Sequence, residues 1–421
     1  MELWYVRKLH GAEKLWKSYI MYRVQNETDQ RIGRFVEIRM VAEEYCRHAE
    51  AEYDATIDGL CLLALERGVH CPSYREGWMY YSYRADEPSN PGLNLLSAAA
   101  YFGCIPLARR LLSEGHCPTA ENRLFPSPIQ IAAWVGNVDM LTLFQEHLPD
   151  FEEIPPRYEN DKTPWRAKVG PGSIKGAALR GDMNMLRLAI YPPSRSNTNT
   201  TDFCGQPFGQ IDYKPETGDI KPSSDLYDAL YYVKTVEVFQ YIDSFFQESI
   251  LLSRSADLLV RYADLGNVEM VRHILDTGVI GVHGSTEIHN QNPLHIAAQN
   301  CHEDIVDLLL ERGADPNSSK LQQRGTPLHA AVVGGSLSIV QKLFDSGARV
   351  PTVDPFFLRK VVEREDIAIL ELCVDYGVSE VKMWSYIQRW ASEEGLNYVA
   401  NLVQQKVLNR SNSLTHTQMS M

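Results

Sequence analysis

Asn292-Pro293-Leu294-His295-Ile296-Ala297-Ala298 returns 34 positions later as Thr326-Pro327-Leu328-His329-Ala330-Ala331-Val332. Downstream, Ile305-Val306 with Leu309-Leu310 returns as Ile339-Val340 with Leu343-Phe344, and each copy closes on glycine and alanine, Gly313-Ala314 and Gly347-Ala348. A fixed period of this length, with room for a helix, a turn and a second helix, marks a stacked repeat array rather than a closed globular core. Pro327 suits the first turn of a helix, where its missing N–H would have had no partner, and Thr326 can cap that turn. Ala297 and Ala298 are small enough to let neighbouring helices approach closely. Gly335 falls where the first helix must stop and reverse, a place that favours positive φ. Ile305, Val306, Leu309 and Leu310 recur at helical spacing and are expected to face the next unit. His295 and His329 stand at a helix start directly after Pro-Leu, which predicts structural hydrogen bonds rather than chemistry.

These residues resemble the ankyrin repeat, whose consensus runs Thr-Pro-Leu-His, two alanines, a glycine, then Ile-Val, paired leucines and Gly-Ala-Asp. The match covers Asn292 to Asn317 and Thr326 to Ala348, and departs at Cys301, which takes the glycine position of the first copy. The resemblance implies an all-α fold, an ankyrin-like helix-turn-helix solenoid with helical caps and inserted loops.

With the reversal glycine as a ruler, further copies follow in both directions. Gly266, Gly136, Gly103 and Gly181 each follow small residues, and the fainter units 225–246 and 356–378 carry Lys234 and Glu365 at that position. The expected array runs over 45–380, with units near 45–70, 94–116, 127–148, 172–191, 225–246, 256–279, 292–317, 326–349 and 356–378. Residues 1–44 are expected to form an amino-terminal helical cap and 381–407 a carboxy-terminal one, since end units must cover an exposed apolar face. The polar stretch 408–421 is expected to be disordered. Three proline- and glycine-rich insertions, Cys71 to Pro91, Phe151 to Pro171 and Tyr191 to Ser224, separate units; loops of this kind either join in binding or are tolerated excursions. The repeats argue for one elongated body of 421 residues rather than several domains.

A net charge of −13, from 41 basic and 54 acidic residues, disfavours binding to phosphate backbones. The longest basic pairs are Arg109-Arg110 and Arg359-Lys360, too short for a basic-region helix. There is no secretory pattern at the start and no apolar run of membrane-spanning length, which predicts a cytoplasmic or nuclear protein. The eight cysteines are scattered without a C-x-x-C pair, as reduced thiols would be.

His70-Cys71-Pro72 and His116-Cys117-Pro118 could offer two thiolates and two imidazoles to zinc if their turns stacked. The insertion after Cys71 breaks that register and neither pair has a tight local spacing, so no metal or other cofactor is expected. Gly170-Pro171-Gly172-Ser173-Ile174-Lys175-Gly176 looks like a phosphate loop but lacks the G-x-x-x-x-G-K-[ST] spacing; a turn and close helix packing explain its glycines better. No catalytic residue is assigned, because neither a G-x-S-x-G elbow nor an H-E-x-x-H pair occurs.

Binding residues are predicted just before each reversal glycine, positions that in ankyrin arrays end the inner helix and face the concave surface. They read Tyr101-Phe102, Trp134-Val135, Leu179-Arg180, Tyr232-Val233, Asp264-Leu265, Gln299-Asn300 and Val333-Gly334. The apolar and aromatic members, Tyr101, Phe102, Trp134, Val135, Leu179, Tyr232, Val233 and Leu265, form the candidate partner-binding strip, since aromatic anchors give large area at low side-chain entropy. The alternative is that loops or the cap fold over the strip and bury it. The chain is thus expected to be a non-catalytic scaffold for another protein. Among ankyrin proteins it resembles fungal members, some of which regulate secondary-metabolite gene clusters; that resemblance implies a transcription coregulator acting through a DNA-binding partner. The competing classes are an enzyme or small-molecule binder with an aromatic-lined pocket, and a substrate adaptor.

Overall fold

In the computed structural model the described residues are 13–28, 33–65, 90–120, 124–148, 171–190, 229–244, 249–283, 292–318, 325–349, 367–377 and 381–405. All regular structure among them is helical, with no strand. The helices are α1 (Glu13–Asn26), α2 (Gly33–Ala49), α3 (Tyr53–Leu65), α4 (Pro91–Phe102), α5 (Ile105–Ser113), α6 (Pro128–Val135), α7 (Val138–Glu146), α8 (Pro171–Arg180), α9 (Met183–Ile190) and α10 (Val236–Asp243). They continue with α11 (Ile250–Leu265), α12 (Val268–Asp276), α13 (Pro293–Gln299), α14 (Glu303–Glu311), α15 (Pro327–Gly334), α16 (Leu337–Asp345), α17 (Ile367–Gly377), α18 (Val381–Glu393) and α19 (Asn397–Val403).

The helical hairpin is built as the repeat residues dictate. Asn90, Asn292 and Thr326 cap the first helices through their side chains, with proline at the start of each. The reversal glycines take left-handed backbone, φ +77 at Gly103, +87 at Gly136, +76 at Gly181, +77 at Gly266 and +84 at Gly335. Cys301, at the same position, is forced to φ +59 and is buried, so this copy keeps the turn at the cost of a strained non-glycine residue. Except at Cys104 and His302, the residue after the reversal position then caps the second helix with its side chain. Asn137, Asn267 and Ser336 accept from the backbone N–H three residues on, at 2.9, 3.0 and 3.3 Å, as Thr235 does after Lys234. Asp182 accepts from Met185 N in the same way at 3.2 Å.

Where the repeat period argues for one continuous body, the chain divides into two compact units, one holding residues 14–253 and the other Glu13 with the described residues from Arg254 onward. The division falls inside α11, at Arg254, whose φ −132 and ψ 22 break the helical dihedrals. In the first unit α4, α6 and α8 lie side by side as successive inner helices. Their small residues Ala99, Ala132, Ala133, Ala177 and Ala178 are fully buried. Contact between α6 and α8 is closest at Gly176, where an added Cβ would lie 2.2 Å from the backbone oxygen of Gln130 and 3.1 Å from Ala133 Cβ. The phosphate-loop lookalike is therefore a helix-packing face; Gly172, expected in a turn, also lies within α8, with Ser127 Oγ 2.5 Å from its would-be Cβ. At the amino-terminal side, Arg39 of α2 donates to the carbonyls of Val24 and Glu27 at 3.2 and 3.0 Å and so closes the end of α1.

In the second unit the well-preserved repeats are tied to each other by side chains. Asn300 donates to Asp264 Oδ1 at 2.7 Å, His302 Nε2 to Asp264 O at 3.0 Å, and Asn317 bridges Gly347 O and Arg349 N at 2.9 and 2.8 Å. Lys342 of α16 reaches Glu303 and Asp307 of α14 at 2.8 and 2.5 Å. The helices of the expected carboxy-terminal cap, α18 and α19, pack on each other. The insertions at 71–89, 151–170 and 191–224, the first half of the 356–378 unit and the tail lie outside the described residues, while α2 runs through the expected boundary at residue 44.

Candidate partner-binding groove

Three inner helices of the first unit end in register, and their last residues open a groove. Tyr101 from α4, Trp134 and Val135 from α6, Arg180 from α8, and Lys234 line a solvent-open space of about 500 Å³. The Tyr101 and Trp134 rings are nearly parallel, 6.2 Å apart with 27° between planes, and both are half-buried. Arg180 and Lys234 are exposed at the groove. Among the described residues no histidine, cysteine, serine or carboxylate lines it.

Arg180 is held in place by the structure beneath it. Its Nη1 donates to the backbone oxygens of Val135 and Trp134 at 2.7 and 3.3 Å, taking carbonyls that the end of α6 leaves without an intrahelical partner. That approach needs Gly136, since a Cβ there would meet the guanidinium carbon at 2.3 Å. Its Nε donates to Asp182 Oδ2 at 3.3 Å, while Asp182 Oδ1 accepts from Asn184 N and Met185 N. Lys175, one turn and a half earlier on α8, lies over the Tyr232 ring at 4.7 Å.

Of the eight predicted strip residues, Tyr101, Trp134 and Val135 come together at the groove. Phe102 sits beside it, with its ring 4.8 Å from Tyr45 and pressed on Gly59, whose added Cβ would approach that ring to 2.8 Å. Burial there pushes the Tyr45 phenol up to about 12. Leu179, Tyr232 and Val233 are buried, which removes them from the strip. For Leu179 the outward position is taken by the next residue, Arg180. For Tyr232 and Val233 the glycine ruler fails, because Lys234 replaces the glycine and Ala229 to Tyr232 form a turn closed by Tyr232 N on Ala229 O at 3.0 Å. Leu265 is half-buried and belongs to the second unit. The missed lining residues are the two cations. Both stand in the sequence directly before or at the reversal position, where an apolar criterion does not reach them.

Of the four candidate zinc ligands, His70 and Cys71 lie outside the described residues. His116 stacks on Gly92, and Cys117 Sγ lies 3.1 Å from Thr119 Oγ1. Among the described residues no three His, Cys, Asp or Glu side chains cluster as metal ligands, and no helix is long and apolar enough to cross a membrane.

Residues 258–354 match a family model described as ankyrin repeats, in three copies. Over 89 residues the chain is 36% identical to the inactive serine/threonine-protein kinase TEX14 of Mus musculus, covering 21% of this chain and 6% of that one. Over 82 residues it is 37% identical to the 2-5A-dependent ribonuclease of Homo sapiens, covering 20% of this chain and 11% of that one. The shared stretch thus spans about a tenth or less of either relative, and the groove helices α4, α6 and α8 precede the stretch that the family model matches.

Proposed function

The chain is an ankyrin repeat protein, and we propose that it works as a non-catalytic scaffold that captures a partner protein at the groove of Tyr101, Trp134, Val135, Arg180 and Lys234. Ankyrin repeats imply protein partners. The single observation that carries the assignment is that two half-buried aromatic rings and two exposed cations line one solvent-open groove at the ends of successive inner helices and the turn that follows them. Half-buried aromatic anchors next to arginine are the composition of interface hot spots. An open groove, in place of a deep enclosed pocket with convergent titratable groups, supports recognition. As a finer reading, the partner is a DNA-binding transcription factor and the chain its coregulator in the nucleus. The net charge of −13 supports an indirect rather than a direct route to nucleic acid.

The test separates two neighbouring aromatics. Trp134→Ala is expected to weaken capture of the native partner in pull-downs by about tenfold or more, with unchanged far-ultraviolet circular dichroism and unfolding midpoint. Phe102→Ala is expected to lower stability by about 2–4 kcal/mol, since its ring fills space against Tyr45 and Gly59. If Trp134→Ala lowers stability instead and leaves capture intact, the groove is packing and not a binding site.

A further inference from the structure

We propose that the groove takes an acidic, aromatic-bearing linear segment of the partner protein, one in which a large apolar side chain is followed closely by a carboxylate. The inference rests on the protein-binding reading above and adds the chemistry that the groove selects. The Tyr101 and Trp134 rings form an apolar wall against which one ring or branched side chain can pack. Among the described residues the charged side chains lining the groove are two cations, with Asp182 on the Nε edge of Arg180, on a chain that carries −13 overall. Such a local reversal of sign favours an anionic group here. The guanidinium is also pre-positioned: Val135 O, Trp134 O and Asp182 take Nη1 and Nε, which leaves Nη2 without a partner among the described residues. A fixed donor loses little entropy when it meets a carboxylate.

Other occupants use the lining less well. A cationic or methylated-lysine side chain would gain from the rings, but it would sit beside Arg180 and Lys234 and be repelled. A single-stranded nucleic acid would stack on the rings, yet it needs a cationic track along many phosphates, and the lining supplies two cations on an acidic chain. A purely apolar segment leaves both cations unused. Acidic segments with interspersed aromatic and aliphatic residues are the composition of disordered activation regions, which bind as short linear elements. Such a partner is compatible with the coregulator reading.

The probe is a fluorescein-labelled synthetic peptide of alternating Glu and Phe or Leu, titrated with the full chain by fluorescence anisotropy. Controls are the same peptide with Lys for Glu, with Ala for Phe and Leu, and a labelled oligothymidine. The Glu-Phe peptide is expected to bind and each control to bind more weakly. Lys234→Glu, at an exposed position, is expected to weaken the Glu-Phe peptide by about tenfold and to improve the Lys version. Equal binding of the Glu and Lys peptides, tighter binding of the oligonucleotide, or an unchanged Lys234→Glu affinity would overturn the proposal. Sedimentation showing a dimer that Trp134→Ala dissolves would assign the groove to a second copy and overturn it as well. Capture of the native partner distinguishes the two levels. Loss with Trp134→Ala but not with Lys234→Glu keeps the groove and rejects the acidic segment, whereas loss with neither rejects both.

Discussion

Gly176 sets how close two inner helices can come. Its replacement by alanine would improve intrinsic helix propensity by about 1 kcal/mol. Against that, the new methyl would sit 2.2 Å from a backbone oxygen of α6, and a backbone atom cannot rotate aside as a side chain can. Overpacking of this kind costs about 1–3 kcal/mol beyond any local gain, so Gly176→Ala is expected to lower the urea midpoint with α8 displaced from α6. A rise in the midpoint would show that the two helices separate freely and that the close approach does not matter. Arg180 shows the same dependence of function on a missing side chain. Gly136 leaves the space through which the guanidinium reaches Val135 O, so a residue whose backbone conformation is needed for the turn also fixes a charge in the groove. Cys301 is the converse case: it holds the left-handed turn at φ +59 without the freedom of glycine, in a copy whose neighbours otherwise keep the repeat residues.

The helix-turn-helix element was legible because its signals are local. Proline at the first turn, a small pair and a glycine before a capping residue specify where each helix starts and stops, and the structure keeps these boundaries at Gly103, Gly136, Gly181, Gly266 and Gly335. What the pattern could not give is the direction in which a particular side chain points once the glycine is gone. Tyr232 and Val233 were placed by counting back from Lys234, but without a residue at ease in left-handed backbone the segment becomes a turn, and both side chains enter the core. Contacts between elements are likewise invisible to a period. The α14–α16 link through Lys342, Glu303 and Asp307 joins residues 35 to 39 positions apart. Its carboxylate end carries a pH dependence. Hydrogen bonds from Lys342 and Ser338 hold the Glu303 carboxyl below its ordinary value of 4.5. A lowered folded value means stabilisation that is present above pH 4.5 and is lost as pH falls through the folded value. Lys342→Met is therefore expected to lower the thermal midpoint at pH 7, with the gap to the native chain closing as the pH is taken below 4.5. A gap that stays constant across that window would remove Glu303 as its source.

Across the whole chain, residues 258–354 match ankyrin repeats and the described residues fall into two compact units. Each repeat touches chiefly its neighbours, so stability in such a chain is close to a sum of unit and interface terms, and a break in the series can separate cooperative blocks. The break at Arg254, the buried groove-side helices before it and the side-chain-tied repeats after it predict two blocks that lose structure separately. Hydrogen exchange on Gly176→Ala reads this directly. Faster exchange is expected in α4 to α9, where the substituted helix packs, while amides of α13 to α16 keep the protection they have in the native chain. Uniform loss of protection from α4 through α16 would mean that the repeats fold as one cooperative array. In that case a substitution meant to alter the groove would reach the well-preserved repeats too, and effects of groove variants on partner capture would have to be read against stability measured over the entire chain.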